Sequence, residues 1–164
     1  MAKAKKKSTT ASGEKILATN RRAKFDYELG TRYEAGLCLI GSEARSIRDT
    51  SPGINEAFID IDRHGEAWVK QMRITHVKHA AFGHTEVRPR KLLLHRAELN
   101  KIRAALEREG MTAVPTIVYY KKGRVKLEFA LARGKKQYDK RHAIKERTES
   151  REAQAAISRG RKDY

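Results

Sequence analysis

The last 32 residues of the chain, 133–164, contain too few apolar side chains to join a folded core. Their only branched aliphatic residues are Ile144 and Ile157, set among eleven Lys or Arg and five Asp or Glu. Such a segment cannot bury enough surface to offset the entropy of ordering it. It is nevertheless rich in helix-forming residues and has no proline. We therefore expect a tail that is disordered alone and becomes helical on a polyanionic partner.

Positive charge is concentrated at both ends of the chain. The formal net charge is +17 over 164 residues, of which residues 1–24 carry +7 and residues 133–164 carry +6. Residues 25–132 carry only +4 and are long enough for one hydrophobic core. Basic arms around one domain are typical of nucleic-acid-binding proteins. A solubilising role would not need so one-sided a charge, and no segment has the apolar face of a membrane-surface helix.

The N-terminus and the cysteine content indicate a cytoplasmic protein. The lysine-rich start is not followed by an apolar stretch, so it does not read as a secretory signal. No run of residues approaches membrane-spanning length. The single cysteine, Cys38, fits a reducing compartment, and its position within a strand pattern favours a packed residue over a nucleophile.

Residues 28–40 alternate between apolar and polar side chains, which predicts a half-buried strand. Gly30 and Gly36 are positions where this strand can bend. Ser42 is expected to cap a short helix that ends at Arg48. The side chains expected on the buried strand face are Leu29, Thr31, Tyr33, Ala35, Leu37 and Leu39.

Two hairpins follow from alternation around turn residues. The first joins residues 57–62 to 67–74, and the second joins 114–120 to 125–131 through a turn that contains Gly123. Pro115 should lie near a strand start or an edge.

Between the hairpins, residues 75–91 lack periodicity and are expected to form a long exposed loop. A helix is predicted over residues 92–109, ended by Gly110. Its expected buried stripe consists of Leu92, Leu99, Ile102 and Leu106.

These elements predict a mainly β protein with flanking helices. At least five short strands and one long helix occur without βαβ alternation, so the sheet should be antiparallel. A small closed OB-like β-barrel leaves few exposed strand edges and fits this set of elements. We expect three segments: a basic arm over 1–15, the barrel over 16–132 and the basic tail over 133–164.

Catalytic and metal sites are poorly supported by the sequence. Asp60 and Asp62 share a strand face, which is ordinary for a solvated hairpin. No phosphate-binding glycine loop is present, and His76, His79 and His84 lack the spacing of a metal site. We expect no cofactor, no metal and no small-molecule substrate.

Aromatic residues next to cations are a stronger indication of function. Phe25 and Tyr27 follow basic residues, and Tyr119 and Tyr120 precede two lysines. Aromatic rings can stack on unpaired bases while cations contact phosphates. Burial in the core is an equally weighted alternative for each ring, and Trp68 is assigned to the core or its edge.

Four ordered blocks of sequence resemble the bacterial SsrA-binding protein (SmpB) family. The resemblance covers about residues 16–150. The blocks are ATNRRA (18–23) with DY (26–27), YEAGL (33–37) with EARSIR (43–48), RPRKLLLH (88–95), and ARGKKQYDKR (132–141) continued by IKER (144–147).

The resemblance implies an adaptor of trans-translation. SmpB proteins bind the tRNA-like domain of transfer-messenger RNA and carry it to stalled ribosomes. Their fold is an antiparallel barrel related to OB folds. Their tail becomes helical in the empty messenger channel of the small subunit, against its ribosomal RNA. The resemblance therefore implies a monomeric, non-enzymatic RNA-binding protein.

The resemblance also implies two sets of functional residues. The RNA-contacting positions of the family fall on Asn20, Arg21, Tyr27, Glu34, Leu93 and Lys126. The tail positions that act at the ribosomal decoding site fall on Gly134, Lys135, Lys136, Asp139, Lys140 and Arg141.

Each implied RNA contact has a physical interpretation. Asn20 can hydrogen-bond base edges or sugar hydroxyls, Arg21 can contact phosphate, and Tyr27 can stack. Glu34 is expected to accept from amino or hydroxyl groups of the RNA, or to position a neighbouring Arg. Leu93 can be an apolar contact or part of the core.

One position departs from the family, because Phe25 stands where many members have His. A phenyl ring keeps a stacking face but loses the ring nitrogens. Two other classes remain open at this point: a ribosomal structural protein with basic tails and, less supported, an RNA-processing enzyme.

Overall fold

A computed structural model describes residues 15–76, 83–108, 110–136 and 148 of the chain. Its elements alternate between short strands and three helices. In chain order they are β1 (Lys15–Thr19), α1 (Ala23–Asp26), β2 (Tyr27–Leu37), α2 (Gly41–Asp49), β3 (Phe58–Ile61), β4 (Ala67–Lys70), β5 (Arg90–Leu93), α3 (Arg96–Arg108), β6 (Thr112–Lys121) and β7 (Arg124–Gly134).

The seven strands form one antiparallel sheet in the order β1-β6-β3-β4-β5-β2-β7, with a further pairing between β6 and β7. Strand β6 pairs with three strands, β1, β3 and β7. This is possible because β3 and β1 pair with different parts of β6: β3 at Ala113, and β1 only from Ile117 onward. Pairing from β6 through β3, β4, β5, β2 and β7 thus returns to β6. The predicted mainly β class and antiparallel sheet are confirmed.

The hydrophobic core lies on the inner face of these paired strands. Phe129 of β7 is fully buried and stacks on Tyr33 of β2 at a ring-centroid distance of 5.7 Å. Ile102 of α3 and Ile47 of α2 are also fully buried, so both helices pack on this core. A second, smaller cluster under α1 consists of Ala23, Val114 and Ala132 with Tyr27 and Leu29 packed against it.

Both predicted hairpins are confirmed. Ile59 pairs with Val69 in the first hairpin, and Tyr120 pairs with Val125 in the second. Lys122 and Gly123 form the second turn with φ of 49° and 75°. Two positive φ angles are what a tight hairpin turn of right-handed twist requires.

Strand β2 carries a bulge at the predicted bend. Leu29 pairs with Ala132 and Arg32 with Ala130, so β2 advances three residues while β7 advances two. A Cβ at position 30 would lie 3.2 Å from the carbonyl oxygen of Leu131, which explains Gly30. The extra residue shifts the alternation between core-facing and outward-facing side chains along β2. Thr31 is therefore exposed, whereas simple alternation predicts that it is buried.

The predicted boundaries of the long helix and the long loop are wrong. The helix begins at Arg96, where the Glu98 side chain accepts the N–H of His95 at 3.0 Å. Leu92 belongs instead to β5, paired with Ala67 and with Leu37. Short apolar runs do not distinguish strand from helix by periodicity, which accounts for this error.

The N-terminus of α2 also differs from its prediction. The helix starts at Gly41, so Ser42 lies inside its first turn and is not the cap. The Glu43 carboxylate accepts the N–H of Ile40 at 3.1 Å and takes the capping role.

Three smaller features depart from the expected pattern. β1 and α1 lacked a sequence signal and are additional elements. Pro115 is buried in β6 at a register shift between β6 and β7, where its missing N–H is tolerated. β7 continues to Gly134, and the N–H of Lys135 donates to the carbonyl oxygen of Asp26 at 3.0 Å. Backbone pairing therefore continues past the expected domain boundary at residue 132.

Candidate nucleic-acid interface

An open groove of about 730 Å³ lies where β2, β5, β6 and β7 meet α2 and the N-terminal part of α3. Its lining includes three residues implied by the family resemblance: Glu34, Leu93 and Lys126. They come from β2, β5 and β7, which are neighbours in the sheet. The other lining residues are Gly36, Leu37, Leu39, Ala44, Arg48, Leu94, His95, Glu98, Tyr120, Gly123, Arg124 and Val125.

Glu34 is the centre of a polar cluster on the wall of this groove. It accepts hydrogen bonds from the Tyr119 hydroxyl and, at 2.8 Å, from the Lys121 ammonium group. Lys126 Nζ lies 3.3 Å from the other carboxylate oxygen. The carboxylate is therefore engaged by groups of this chain, and the neighbours that it positions are lysines and a tyrosine rather than an arginine.

These contacts stabilise the charged form of the carboxylate. The hydrogen bond from Lys121, followed by that from Tyr119, lowers the pKa of Glu34 to about 2, against a smaller opposing effect of partial burial. Glu34 is thus ionised throughout the physiological range.

Leu93 is not a core residue. Its exposed fraction is 57 %, the largest among the exposed large hydrophobic residues of the described chain. The absence of a side chain at Gly36 allows Leu93 to lie over β2, because a Cβ there would be 3.3 Å from the Leu93 Cβ. An exposed leucine on a groove floor is suited to contact an unstacked base.

Asn20 lies away from this groove and is buried. Its Nδ2 donates to the carbonyl oxygens of Ile54 at 3.2 Å and Pro115 at 3.0 Å, and its Oδ1 accepts the N–H of Ala23 at 3.0 Å. Only 4 % of the residue is exposed. The side chain expected to meet base edges instead ties α1 to β6 and to the loop before β3.

Arg21 and Tyr27 lie at the same end of the sheet as Asn20. Arg21 is exposed, whereas Tyr27 is half-buried against the small cluster under α1. The half-buried ring of Phe25 lies between them in the chain. Tyr27 and Glu34 are seven positions apart along β2, a span of about 20 Å. The six residues implied by the resemblance therefore form two groups.

The first tail residues are attached to the domain. Gly134 ends β7, and Lys135 Nζ donates to the carbonyl oxygen of Lys24 at 3.0 Å. Lys136 is exposed. The remaining tail residues of the prediction, Asp139, Lys140 and Arg141, lie outside the described residues.

His76, His84 and Cys38 are not among the residues that line the groove. His84 was expected in an exposed loop but is buried, with Nε2 2.9 Å from the carbonyl oxygen of Ile74 and the ring of His76 against its edge. His79 lies outside the described residues. Within residues 15–76, 83–108 and 110–136, no group of three or more His, Cys, Asp or Glu could hold a metal ion. Cys38 is half-buried.

The two aspartates of the first hairpin have structural contacts. Asp60 forms an ion pair with Lys70 at 2.5 Å. Asp62 accepts the N–H of Glu66 at 2.8 Å and the indole N–H of Trp68 at 3.0 Å, which fixes the turn and the half-buried indole.

Several residues in the groove or around Glu34 could not be assigned a role from the sequence. Tyr119 and Lys121 were noted only as an aromatic next to a cation, and Arg124 was not identified. The available signal was the alternation of β6 and β7: Tyr119, Lys121 and Lys126 share a face, since Tyr119 pairs directly with Lys126. The contact of these side chains with Glu34 could not be predicted in this way, because Glu34 lies on β2, 85 residues away from Tyr119 in the chain.

The structure is that of a mainly β protein with an open surface groove, and comparisons with known proteins identify its family. The family model described as "SmpB protein" matches residues 17–159. An "SsrA-binding protein" of Bifidobacterium longum (strain DJO10A) is 45 % identical over 147 residues, which are 89 % of this chain and 93 % of that protein. One from Sorangium cellulosum is 45 % identical over 152 residues, covering 93 % of each chain. The chain belongs to the SmpB family.

A solved structure supports the same assignment. A chain in a structure described as "tmRNA-SmpB: a journey to the center of the bacterial ribosome" is 33 % identical and superposes with a TM-score of 0.63, over 79 % of this chain and 94 % of that chain. In the described part of this chain, no helix is long and apolar enough to cross a membrane.

Proposed function

We propose that this protein is a non-enzymatic RNA-binding adaptor of trans-translation in the cytoplasm. It binds the tRNA-like domain of transfer-messenger RNA and delivers that RNA to ribosomes stalled on incomplete messages. The observation that carries the proposal is the family match over residues 17–159, together with relatives named for SsrA binding and a related chain from a tmRNA–SmpB ribosome structure. The rival assignment, a ribosomal structural protein, has no comparable support.

The domain is proposed to be a closed OB-like barrel. The support is the cycle of strand pairings through β6, β3, β4, β5, β2 and β7; among the strands that the structure describes, β1 alone lies outside this cycle. Closure removes exposed strand edges, and OB folds present one face and its adjoining loops to oligonucleotides.

RNA binding is assigned to two parts of this domain. The groove with Glu34, Leu93 and Lys126 provides an apolar contact beside held cations. The exposed Arg21 near Tyr27 provides a phosphate contact about 20 Å away. Asn20 contributes by fixing the segment that carries Arg21, since its hydrogen bonds are directed into the protein.

The tail is proposed to act on the ribosome after RNA binding. Lys135, Lys136, Lys140 and Arg141 would contact phosphates of the small-subunit RNA in the empty messenger channel. Asp139 would cap the tail helix at its N-terminus. Lys135 would act from the edge of the domain, because it is bonded to α1, so a truncation after Lys136 removes the rest of the tail and keeps this attachment.

Truncation separates these two activities. A chain that ends at Lys136 should bind the tRNA-like domain like the full chain and fail to support peptide tagging on stalled ribosomes. A chain that ends at Ala132 is the control: it loses the pairs Tyr27–Gly134 and Glu28–Arg133 and should be less stable. Loss of RNA binding and tagging together in the stable, Lys136-terminated chain would contradict the division of roles.

A further inference from the structure

The turn between β6 and β7 collects four cations around one carboxylate. Lys121, Lys122, Arg124 and Lys126 surround Glu34 in a shallow basin of about 410 Å³. Glu34, Arg124 and Lys126 also line the larger groove, so the basin and the groove adjoin. A basin with this excess of positive charge is suited to a polyanion.

The four cations divide into two pairs. Lys121 and Lys126 are half-buried and lie 2.8 and 3.3 Å from the Glu34 carboxylate. The side chains of Lys122 and Arg124 are exposed and form no hydrogen bond or ion pair with any residue that the structure describes. One carboxylate thus offsets part of the charge of two lysines and leaves two other cations available.

The turn holds the two available cations in defined places. Lys122 adopts φ of 49°, and Gly123 follows with φ of 75°. Arg124 is the first residue of β7 and pairs with Lys121 across the hairpin, so the two cations lie in and directly after a two-residue turn rather than in a long loop. A guanidinium and an ammonium group at fixed positions are the donors that RNA phosphates accept.

We propose that Lys122 and Arg124 are phosphate-binding residues of the RNA site, and that Glu34 determines specificity by holding Lys121 and Lys126 in place. This inference rests on the proposed function. Without the Glu34 carboxylate, Lys121 and Lys126 would be flexible cations able to contact any phosphate. Glu34 restricts them to positions that only an RNA of fitting shape can use, and the Tyr119 hydroxyl fixes the carboxylate in turn.

The proposal makes opposite predictions for the two pairs. Loss of Lys122 or Arg124 should weaken binding to every RNA and reduce the dependence of log K on log salt by about 0.7 to 0.9 for each cation. Loss of the Glu34 charge should strengthen binding to non-cognate RNA and make that binding more dependent on salt, because Lys121 and Lys126 are then released to contact phosphates. The protein should therefore lose its preference for the cognate RNA over other RNAs.

The experiment measures dissociation constants of the full chain for two transcripts, the tRNA-like domain of transfer-messenger RNA and an elongator tRNA, over a series of salt concentrations. Glu34→Gln should reduce the ratio of the two constants by about tenfold, as expected for loss of hydrogen bonds to a charged group. Lys122→Gln and Arg124→Gln should leave that ratio unchanged while both affinities fall.

Matched controls separate these effects from net charge and folding. Glu107→Gln removes the same charge from α3 and releases Arg103 from its exposed ion pair, and it should not change the ratio. Lys101→Gln removes one exposed cation of α3 and should leave the salt slope unchanged. Thermal unfolding of each variant shows whether the domain remains folded.

The possible failures are distinguishable. If the parent chain does not prefer the tRNA-like domain, the proposed function itself is wrong. If the parent shows the preference and folded Glu34→Gln keeps it, the role of Glu34 is wrong. If Lys122→Gln and Arg124→Gln keep the parent salt slope, the turn is not a phosphate site.

Discussion

Glu43 and Arg90 form an ion pair at 2.8 Å in which both side chains are completely buried. The guanidinium also donates to the carbonyl oxygen of Met72 at 2.5 Å, and Arg88 provides a second ion pair to Glu43 at 2.6 Å. This network fastens α2 to β5. Because Ala44 and Arg48 of α2 line the groove, the network also sets the position of one groove wall.

Removal of one partner of this ion pair should be costly. Glu43→Gln leaves the buried Arg90 charge without its counter-ion, and we expect a loss of about 3 to 5 kcal/mol in the free energy of unfolding. Urea denaturation at neutral pH measures this. A loss below about 1 kcal/mol, the usual contribution of an exposed pair, would contradict the structure.

The same pair should make stability depend on acid. Burial raises the pKa of Glu43, but the hydrogen bonds from Arg88 and Ile40 and the charge of Arg90 outweigh it, so the pKa lies below its ordinary value of 4.5. The stabilisation is therefore complete above about pH 4.5 and is lost as the pH falls through the lower folded-state pKa. The difference in unfolding free energy between the parent and Glu43→Gln should narrow in acid. A constant difference would show that Glu43 does not titrate in this way.

Asn20 is expected to act through structure. Asn20→Asp keeps the acceptor for the N–H of Ala23 but places an oxygen against the carbonyl groups of Ile54 and Pro115. We expect a loss of about 1 to 3 kcal/mol in unfolding free energy, the cost of buried polar groups left without partners. Arg21→Gln is the comparison, since it should weaken RNA binding at unchanged stability. Full stability of Asn20→Asp would contradict the buried hydrogen bonds.

The unusual acidity of Glu34 can be tested directly. An NMR titration of its side-chain carboxyl group should give a pKa of about 2. Because the Lys121 hydrogen bond is the largest cause, Lys121→Gln should raise this pKa more than Tyr119→Phe does. A parent value near 4.5, or no response to either substitution, would mean that the cluster does not form in solution.

The features that could be predicted from the sequence are the local ones. The hairpin of β6 and β7 follows from the turn at Lys122 and Gly123 and the alternation of β7 after it, and the bend of β2 follows from Gly30. Each signal lies within about ten neighbouring residues. The family blocks in turn indicate which residues belong to a binding surface.

The features that could not be predicted depend on distant partners. Arg90 was expected in an exposed loop because residues 75–91 lack periodicity, and its counter-ion Glu43 is 47 residues away. Asn20 appeared free to meet RNA because its acceptor Pro115 is 95 residues away. Glu34 likewise meets Lys121 across 87 residues, so only the folded sheet shows that its carboxylate is already engaged.

The central claim is specific recognition of the tRNA-like domain of transfer-messenger RNA, and competition between RNAs at rising salt tests it most directly. The full chain should be bound to labelled tRNA-like domain and challenged with unlabelled elongator tRNA. We expect the preference for the tRNA-like domain to persist as salt rises, because shape and base contacts are less sensitive to salt than phosphate contacts. Equal competition by both RNAs, with binding lost in parallel as salt rises, would show only a polycation and would contradict the account.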